Sequence, residues 1–354
     1  MSDTPANVSL AAPPVAPAPG PITPVTGEKV RWGIIAPGHI AEKFAKAVTS
    51  LPDEAELVAV GSRSAERAAD FAGRWGIPHS HGSYAELVAR DDLDVVYVAS
   101  PHNLHGEQAE LAMRAGKHVL VEKPLSESLH SSRSIIETAA EQGVFCMEAM
   151  WTRCNPLVMQ ARQLIADGAL GDPRFMWCTF AFRFDGDDSH RLLDPELAGG
   201  AILDLGVYPM HAAHVLLGAP TGITAEGTEH PRTGVDATSV AHLTWDKPGG
   251  TTFGTLVSSI DARGDQRLSV FGTKGQLVLE NFLAPLEMTF TPEGGEPQKF
   301  VTQDAGFLWQ VQEVHRCLRA GKAESSAVPW QSSLDVAALL DQWRAGVGTG
   351  TVGR

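Results

Sequence analysis

Val30-Arg31-Trp32-Gly33-Ile34-Ile35-Ala36-Pro37-Gly38-His39-Ile40-Ala41 decides the fold. Its first seven residues read as a short apolar strand, and from Ile40 to Ser50 the pattern is helical. Between them, Ala36-Pro37-Gly38-His39-Ile40-Ala41 is the pattern G-x-G-x-x-G/A with alanine in its first place. Gly38 lets a backbone approach a pyrophosphate, and the helix start offers N–H donors and a positive dipole end. Ala41 allows close helix–sheet packing. A glycine pattern alone is weak, but this one lies in the strand–turn–helix context that a dinucleotide requires.

Working outward, the alternation continues to about Met150. Strands are expected at 56–61, 95–99, 118–121 and 144–147, with helices at 65–75, 83–90, 103–115 and 126–142. Short apolar runs alternating with helices imply an α/β domain on a parallel, doubly wound sheet. After Trp151 the texture changes. A helix at 156–167, a long alternating strand at 174–184 and a helix at 204–217 precede seven strand-like segments between 222 and 301. Consecutive strands joined by short turns are antiparallel. Helices at 308–320 and 332–345 close the chain. This half is expected to be α+β, with a large, mostly antiparallel, open-faced sheet. The expected division is a Pro/Ala-rich disordered or extended arm at 1–28, a dinucleotide-binding domain at 29–150, and a substrate-binding and oligomerisation domain at 151–354. If helices cover one sheet face, the other meets water or a second subunit, so a homodimer through the sheet is expected.

The 354-residue chain has a formal net charge of -14, from 42 acidic and 28 basic side chains. That balance disfavours nucleic acid and anionic membranes as partners. Cys146, Cys154, Cys178 and Cys317 form no C-x-x-C pair and show no metal-ligand spacing, and they read as reduced thiols. No apolar run approaches the roughly 18 residues of a membrane span, and no secretory signal pattern opens the chain. A cytoplasmic location is expected.

The end of the second strand selects the cofactor. Gly61-Ser62-Arg63-Ser64 stands where an NAD-binding chain carries Asp or Glu for the ribose 2′-hydroxyl. Ser62 and Ser64 can donate to a 2′-phosphate, and Arg63 offers it a guanidinium fork. Arg67, one turn on, either joins them or is a surface arginine. NADP(H) is therefore the expected cofactor. Ser100, Pro101, Asn103 and His105 follow the third strand, over the nicotinamide half; for Asn103 and His105, capping or packing competes with ligand contact. Glu122-Lys123-Pro124 follows the strand His118-Val119-Leu120-Val121, so the lysine stands where the strand ends open onto the ligand crevice. It reads either as a proton-chemistry lysine or as a solvated partner of Glu122.

Asp204 and Tyr208 are four residues apart, which places them on one helix face. A phenol near an ammonium titrates lower, so Lys123, Tyr208 and Asp204 can form an acid–base relay. The alternative is an aspartate at a helix start and a packed tyrosine. His211 and His214 continue the helix and read as structural, with no metal.

These residues resemble the glucose-fructose oxidoreductase / inositol dehydrogenase / MocA (Gfo/Idh/MocA) family from about residue 30 onward. The resemblance rests on 36–41, 115–124 and 200–209. Glu148-Ala149-Met150-Trp151-Thr152-Arg153 and Leu203-Asp204-Leu205-Gly206-Val207-Tyr208-Pro209 look like the dimeric dihydrodiol dehydrogenase / NADP-dependent D-xylose dehydrogenase branch. The resemblance implies a Rossmann domain, a catalytic set of Lys123, Asp204 and Tyr208, and Trp151 and Arg153 near the substrate with Asp204 and Tyr208. It implies hydride transfer between nicotinamide and a carbinol carbon of a sugar or cyclic diol. Two other readings stay open: a sugar–sugar oxidoreductase with tightly held NADP(H), and a non-catalytic nucleotide sensor.

Overall fold

The computed structural model describes residues 15–349 and a two-residue strand, β1 (Val8–Ser9). The remainder of the expected arm, residues 1–7 and 10–14, lies outside the described residues. Contacts divide the chain into two compact units, Val15–Trp151 with Gly306–Leu334, and Thr152–Ala305 with the segment from Asp335 onward.

In the first unit, β2 (Val30–Ile35), β3 (Ala55–Gly61), β4 (His79–His81), β5 (Val95–Val98), β6 (His118–Val121) and β7 (Cys146–Glu148) form one parallel sheet. Its order is β4-β3-β2-β5-β6-β7. The sheet reverses winding between β2 and β5, and a ligand crevice opens at that switch point. The strands are apolar because helices cover both faces; Val95–Val98 is buried throughout. The helices are α1 (His39–Thr49), α2 (Ala65–Trp75), α3 (Tyr84–Val88), α4 (His105–Arg114) and α5 (Leu129–Gln142). Ser64 caps α2, which ends at Gly76 with φ 66°, and Ser128 caps α5, which ends at Gly143 with φ 61°.

The expected division placed 306–334 in the second domain; its packing places it in the first unit. Trp32 Nε1 donates to His315 Nε2 at 3.1 Å on α8 (Leu308–Arg319), and Trp330 Nε1 donates to the Cys146 carbonyl at 2.9 Å. The described part of the arm is an extended strap over the same region. Ile22 N–H donates to Gly321 O at 3.0 Å and Val25 N–H to Leu318 O at 3.1 Å. Buried tryptophan N–H groups and strap hydrogen bonds are long-range partners that local sequence does not display.

The second unit is built on β8 (Pro173–Ala181), β9 (Gly222–Glu229), β10 (Asp236–Lys247), β11 (Gly250–Ser259), β12 (Leu268–Gly272), β13 (Gly275–Leu279), β14 (Glu287–Pro292) and β15 (Gln298–Val301). Their order is β9-β10-β11-β8-β12-β13-β14-β15, with β1 at the β9 edge. All pairs are antiparallel except β11 with β8. Here α6 is Pro156–Ala166 and α7 is Val207–Leu217. Helix α7 packs on β8 and β11. The helical stretch 195–217 has membrane-span length and hydropathy, but 89% of its apolar window is buried inside the protein, as befits a core helix. Helix α9 (Trp330–Val347) starts in the first unit and ends in the second.

Candidate active site

In the first unit, the turn after β2 is held by Ala36 N–H on Gly61 O at 3.0 Å and Gly38 N–H on Ala36 O at 2.8 Å. Ala36 has φ 63°, the left-handed region that favours glycine. Gly38 is different, with φ -99°, and an added Cβ would meet nothing nearer than Ala36 O at 4.0 Å. Nothing inside the protein requires glycine there. Helix α1 starts at Gly38 with no side-chain cap, so His39, Ile40 and Ala41 follow with uncapped N–H donors. An open cradle beside such donors suits a pyrophosphate. The hydroxyl of Ser100, in the loop after β5, is also buried with no protein partner. The residues fit a dinucleotide. Ala36→Gly relieves the left-handed strain, worth ~1–2 kcal/mol, against ~0.4–1 kcal/mol from the freer unfolded chain. The expected result is a slightly higher urea midpoint at unchanged slope; a lower midpoint contradicts the strain.

The residues after β3 do more structural work than their pattern suggests. Ser62 Oγ accepts from Ser64 N–H at 3.2 Å, and Ser64 Oγ accepts from Arg67 N–H at 3.3 Å as the α2 cap. Each hydroxyl keeps its own proton to donate. The Arg63 and Arg67 side chains are exposed, and Arg63 also bonds the Tyr84 hydroxyl. Burial raises the Tyr84 phenol, opposed by those two guanidiniums. Tyr84 thus joins a cluster that sequence spacing did not include.

The turn bearing Lys123 is clamped from several sides. The Lys123–Pro124 peptide is cis. Glu122 accepts from the Tyr97 hydroxyl and accepts the Lys123 N–H at 3.2 Å, which ties the start of the turn to β5. Glu148 Oε1 accepts the Leu125 N–H at 3.0 Å, and its Oε2 accepts from Ser333 Oγ at 2.6 Å. For His105, where packing and ligand contact competed, the side chain is packed. It is fully buried, with its ring nitrogens 3.0 Å from Pro124 O and 2.9 Å from Ser100 O. It ties the Ser100-Pro101 loop to the Lys123 turn, and burial lowers its pKa. Asn103 lies in a 3-10 turn, and α4 starts after Leu104 without a side-chain cap, so Asn103 does not cap it. Lys123 itself is 8% exposed.

In the second unit, Asp204 lies in a π-helical turn, Ile202–Gly206, and Tyr208 follows on α7. The wider turn changes the face arithmetic that a regular helix implies. Tyr208 is 8% exposed, with its ring 5.6 Å edge-on from Phe180. Asp204 accepts from Arg191 Nη2 at 3.1 and 3.4 Å. Arg191, on a 3-10 turn in the loop after β8, was invisible to spacing. Arg153, expected near substrate, is buried inside this unit with Nη1 3.3 Å from His211 Nδ1. His211 lies three residues beyond Tyr208, so Arg153 braces that helix. Its neighbour Trp151 belongs to the first unit and packs on Phe307 at 5.5 Å. His214 Nε2 lies 2.9 Å from Asp335 Oδ2.

Comparison with known proteins gives the family. Residues 30–150 match the model of the oxidoreductase family with an NAD-binding Rossmann fold, and 158–278 match the GFO/IDH/MocA C-terminal domain. A mouse (Mus musculus) trans-1,2-dihydrobenzene-1,2-diol dehydrogenase is 36% identical over 90% of this chain and 97% of its own. A Hypocrea jecorina D-xylose 1-dehydrogenase (NADP(+)) is 33% identical over 88% of this chain and 90% of its own. Among solved structures, a 3-ketoreductase from Actinomadura kijaniata in complex with NADP and TDP-benzene matches with TM-score 0.78 and 28% identity, over 90% of this chain and 98% of its own. With its nucleotide-binding and C-terminal models matched in tandem, the chain belongs to the GFO/IDH/MocA family of NAD(P)-dependent oxidoreductases.

Proposed function

We propose that this oxidoreductase moves hydride between NADP(H) and a carbinol carbon of a sugar, an aldose such as xylose or glucose, or of a cyclic diol. The observation that carries the reading is the clamped turn that presents Lys123 at the C-terminal end of β6, in the unit that also holds the open Gly38 cradle. The similarity to enzymes named for a diol and for xylose sets the substrate class. When bound, NADP(H) would supply the hydride acceptor or donor. Ala36, Pro37, Gly38, His39 and Ile40 would hold the pyrophosphate, and Ser62, Arg63, Ser64 and Arg67 the 2′-phosphate. Ser100 and Pro101 would border the nicotinamide half. Tyr208 takes the substrate hydroxyl proton or gives it back. The Lys123 ammonium favours the phenolate and hydrogen-bonds substrate, and Asp204 orients the pair. Purified protein is assayed with NADP+ and a panel of pentoses, hexoses and cyclic diols, following the reduced-nicotinamide absorbance. Reduction by at least one member supports the reading; none, with NADP+ still bound, favours the nucleotide sensor.

A homodimer through the sheet is part of this proposal. Phe175, Trp177 and Phe253 are 48%, 45% and 58% exposed, and Phe253 is in register with Phe175 on the neighbouring strand. Phe271 stacks on Phe175 at 4.3 Å. An exposed aromatic patch of this kind supports a protein contact on this face. Sedimentation is expected to give a dimer for the wild type and a monomer for Phe253→Glu; a monomeric wild type contradicts it. The four cysteines form no disulfide, which accords with a cytoplasmic location.

A further inference from the structure

Asp236, the first residue of β10, is 2% exposed. Its Oδ2 accepts the Ile202 N–H at 2.5 Å, and its carboxylate also takes the Ala201 N–H. A strand carboxylate therefore caps the turn that carries Asp204 and leads into Tyr208. That turn has no side-chain cap at its own N-terminus. The preceding glycines are built around this contact. Gly200 has φ 117°, and a Cβ there would run into the Asp236 carboxylate. At Gly199 a Cβ would lie 2.7, 2.7 and 2.8 Å from the carbonyls of Arg191, Leu192 and Asp194. Those carbonyls belong to the loop that aims Arg191 at Asp204.

The charged side chain acting on Asp236 is Arg344 of α9; its register partner on β9 is the exposed Glu229, and Asp204 lies on the capped turn itself. Burial raises the Asp236 pKa to about 6. The group is thus ionised at neutral pH against a desolvation cost. A neutral Ser, Thr or Asn would cap a helix without that cost. Charge retained where it is costly points to a role beyond holding the fold together.

We infer that Asp236 is a positioning residue, whose buried carboxylate fixes the Ile202–Gly206 turn and so places Asp204 and Tyr208 for proton transfer. This rests on the proposed roles of Asp204 and Tyr208.

The test compares the full chain with Asp236→Asn by amide hydrogen exchange across 201–208, thermal melting, and kcat and KM. In the variant, which offers one acceptor oxygen where the carboxylate offers two, exchange in that segment rises about tenfold, kcat falls about tenfold to a hundredfold, and KM for NADP+ and the melting temperature hold. Wild-type exchange in the variant overturns the inference, as does raised exchange with wild-type kcat. If the variant does not fold, Asp236→Ser decides in its place: its shorter side chain cannot reach both the Ile202 and Ala201 N–H groups, so the same rise in exchange and fall in kcat are expected, and wild-type values of both overturn the inference. A wild type that turns over no sugar or diol strikes the parent reading instead, while the exchange comparison still decides whether Asp236 holds the turn.

Discussion

Tyr208→Phe lowers kcat about a thousandfold and leaves NADP+ affinity unchanged. Positioned acid–base groups supply about 10²- to 10⁴-fold, and phenylalanine keeps the ring that packs edge-on to Phe180 while removing the proton carrier. A thousandfold corresponds to about 4 kcal/mol of barrier. Lys123→Met has an effect of similar size, because the ammonium that favours the phenolate is gone. The informative variant is the double one. Groups acting as a unit are non-additive, so the double variant is expected to be about as slow as either single variant. Steady-state kinetics at saturating cofactor measure this. Multiplicative losses contradict a shared relay, and a Tyr208→Phe enzyme with wild-type kcat removes the tyrosine from the chemistry.

The second large effect concerns cofactor choice. Arg63→Ala with Arg67→Ala raises KM for NADP+ about a hundredfold and leaves KM for NAD+ within a few-fold. A hydrogen bond to a charged group contributes about 1.5–3 kcal/mol, and two such losses reach that range after solvent screening. Both guanidiniums are exposed, and among the described residues neither is in an ion pair with a carboxylate. The preference for NADP+ is therefore also expected to weaken with salt in the wild type. Equal losses for both cofactors would mean that the arginines hold the adenine or the pyrophosphate.

Local chemistry made much of the fold legible. Helix 65–75 was read to the residue because Ser64 can cap it and Gly76 can leave it in the left-handed region. Strands 118–121, 222–229 and 298–301 are equally plain, because turn residues bound them: Gly116 and Pro124, Pro220 and Pro231, and Pro297. Edge strand His79–His81 carries no apolar signal and was missed. The start of α5 was set too early, at Ser126, because several serines compete and only Ser128 takes the cap. The segment 306–334 follows the second half in sequence yet packs in the first unit, because its partners, Trp32 and Cys146, lie far away in sequence.

The candidate site divides the same way. Lys123, Gly38 and Arg63 announce themselves at strand ends, where one residue type in one place has a chemical meaning. The groups that hold them do not. Glu148 on Leu125, Tyr97 on Glu122, Arg191 on Asp204 and Asp236 on Ile202 are contacts between distant segments, and each residue alone reads as ordinary. Asp204 and Tyr208 were paired by regular helical spacing, yet a π-turn separates them; their common role now rests on chemistry rather than on that spacing.

The most direct measurement follows deuterium from the carbinol carbon of a substrate found in the panel, with wild type, Tyr208→Phe and Lys123→Met compared in single turnover. The account predicts that the label reaches the nicotinamide C4 in the wild type, that a solvent isotope effect accompanies the transfer, and that both variants lose the rate together. Label transferred at wild-type speed in both variants, or label that never reaches the nicotinamide, contradicts it.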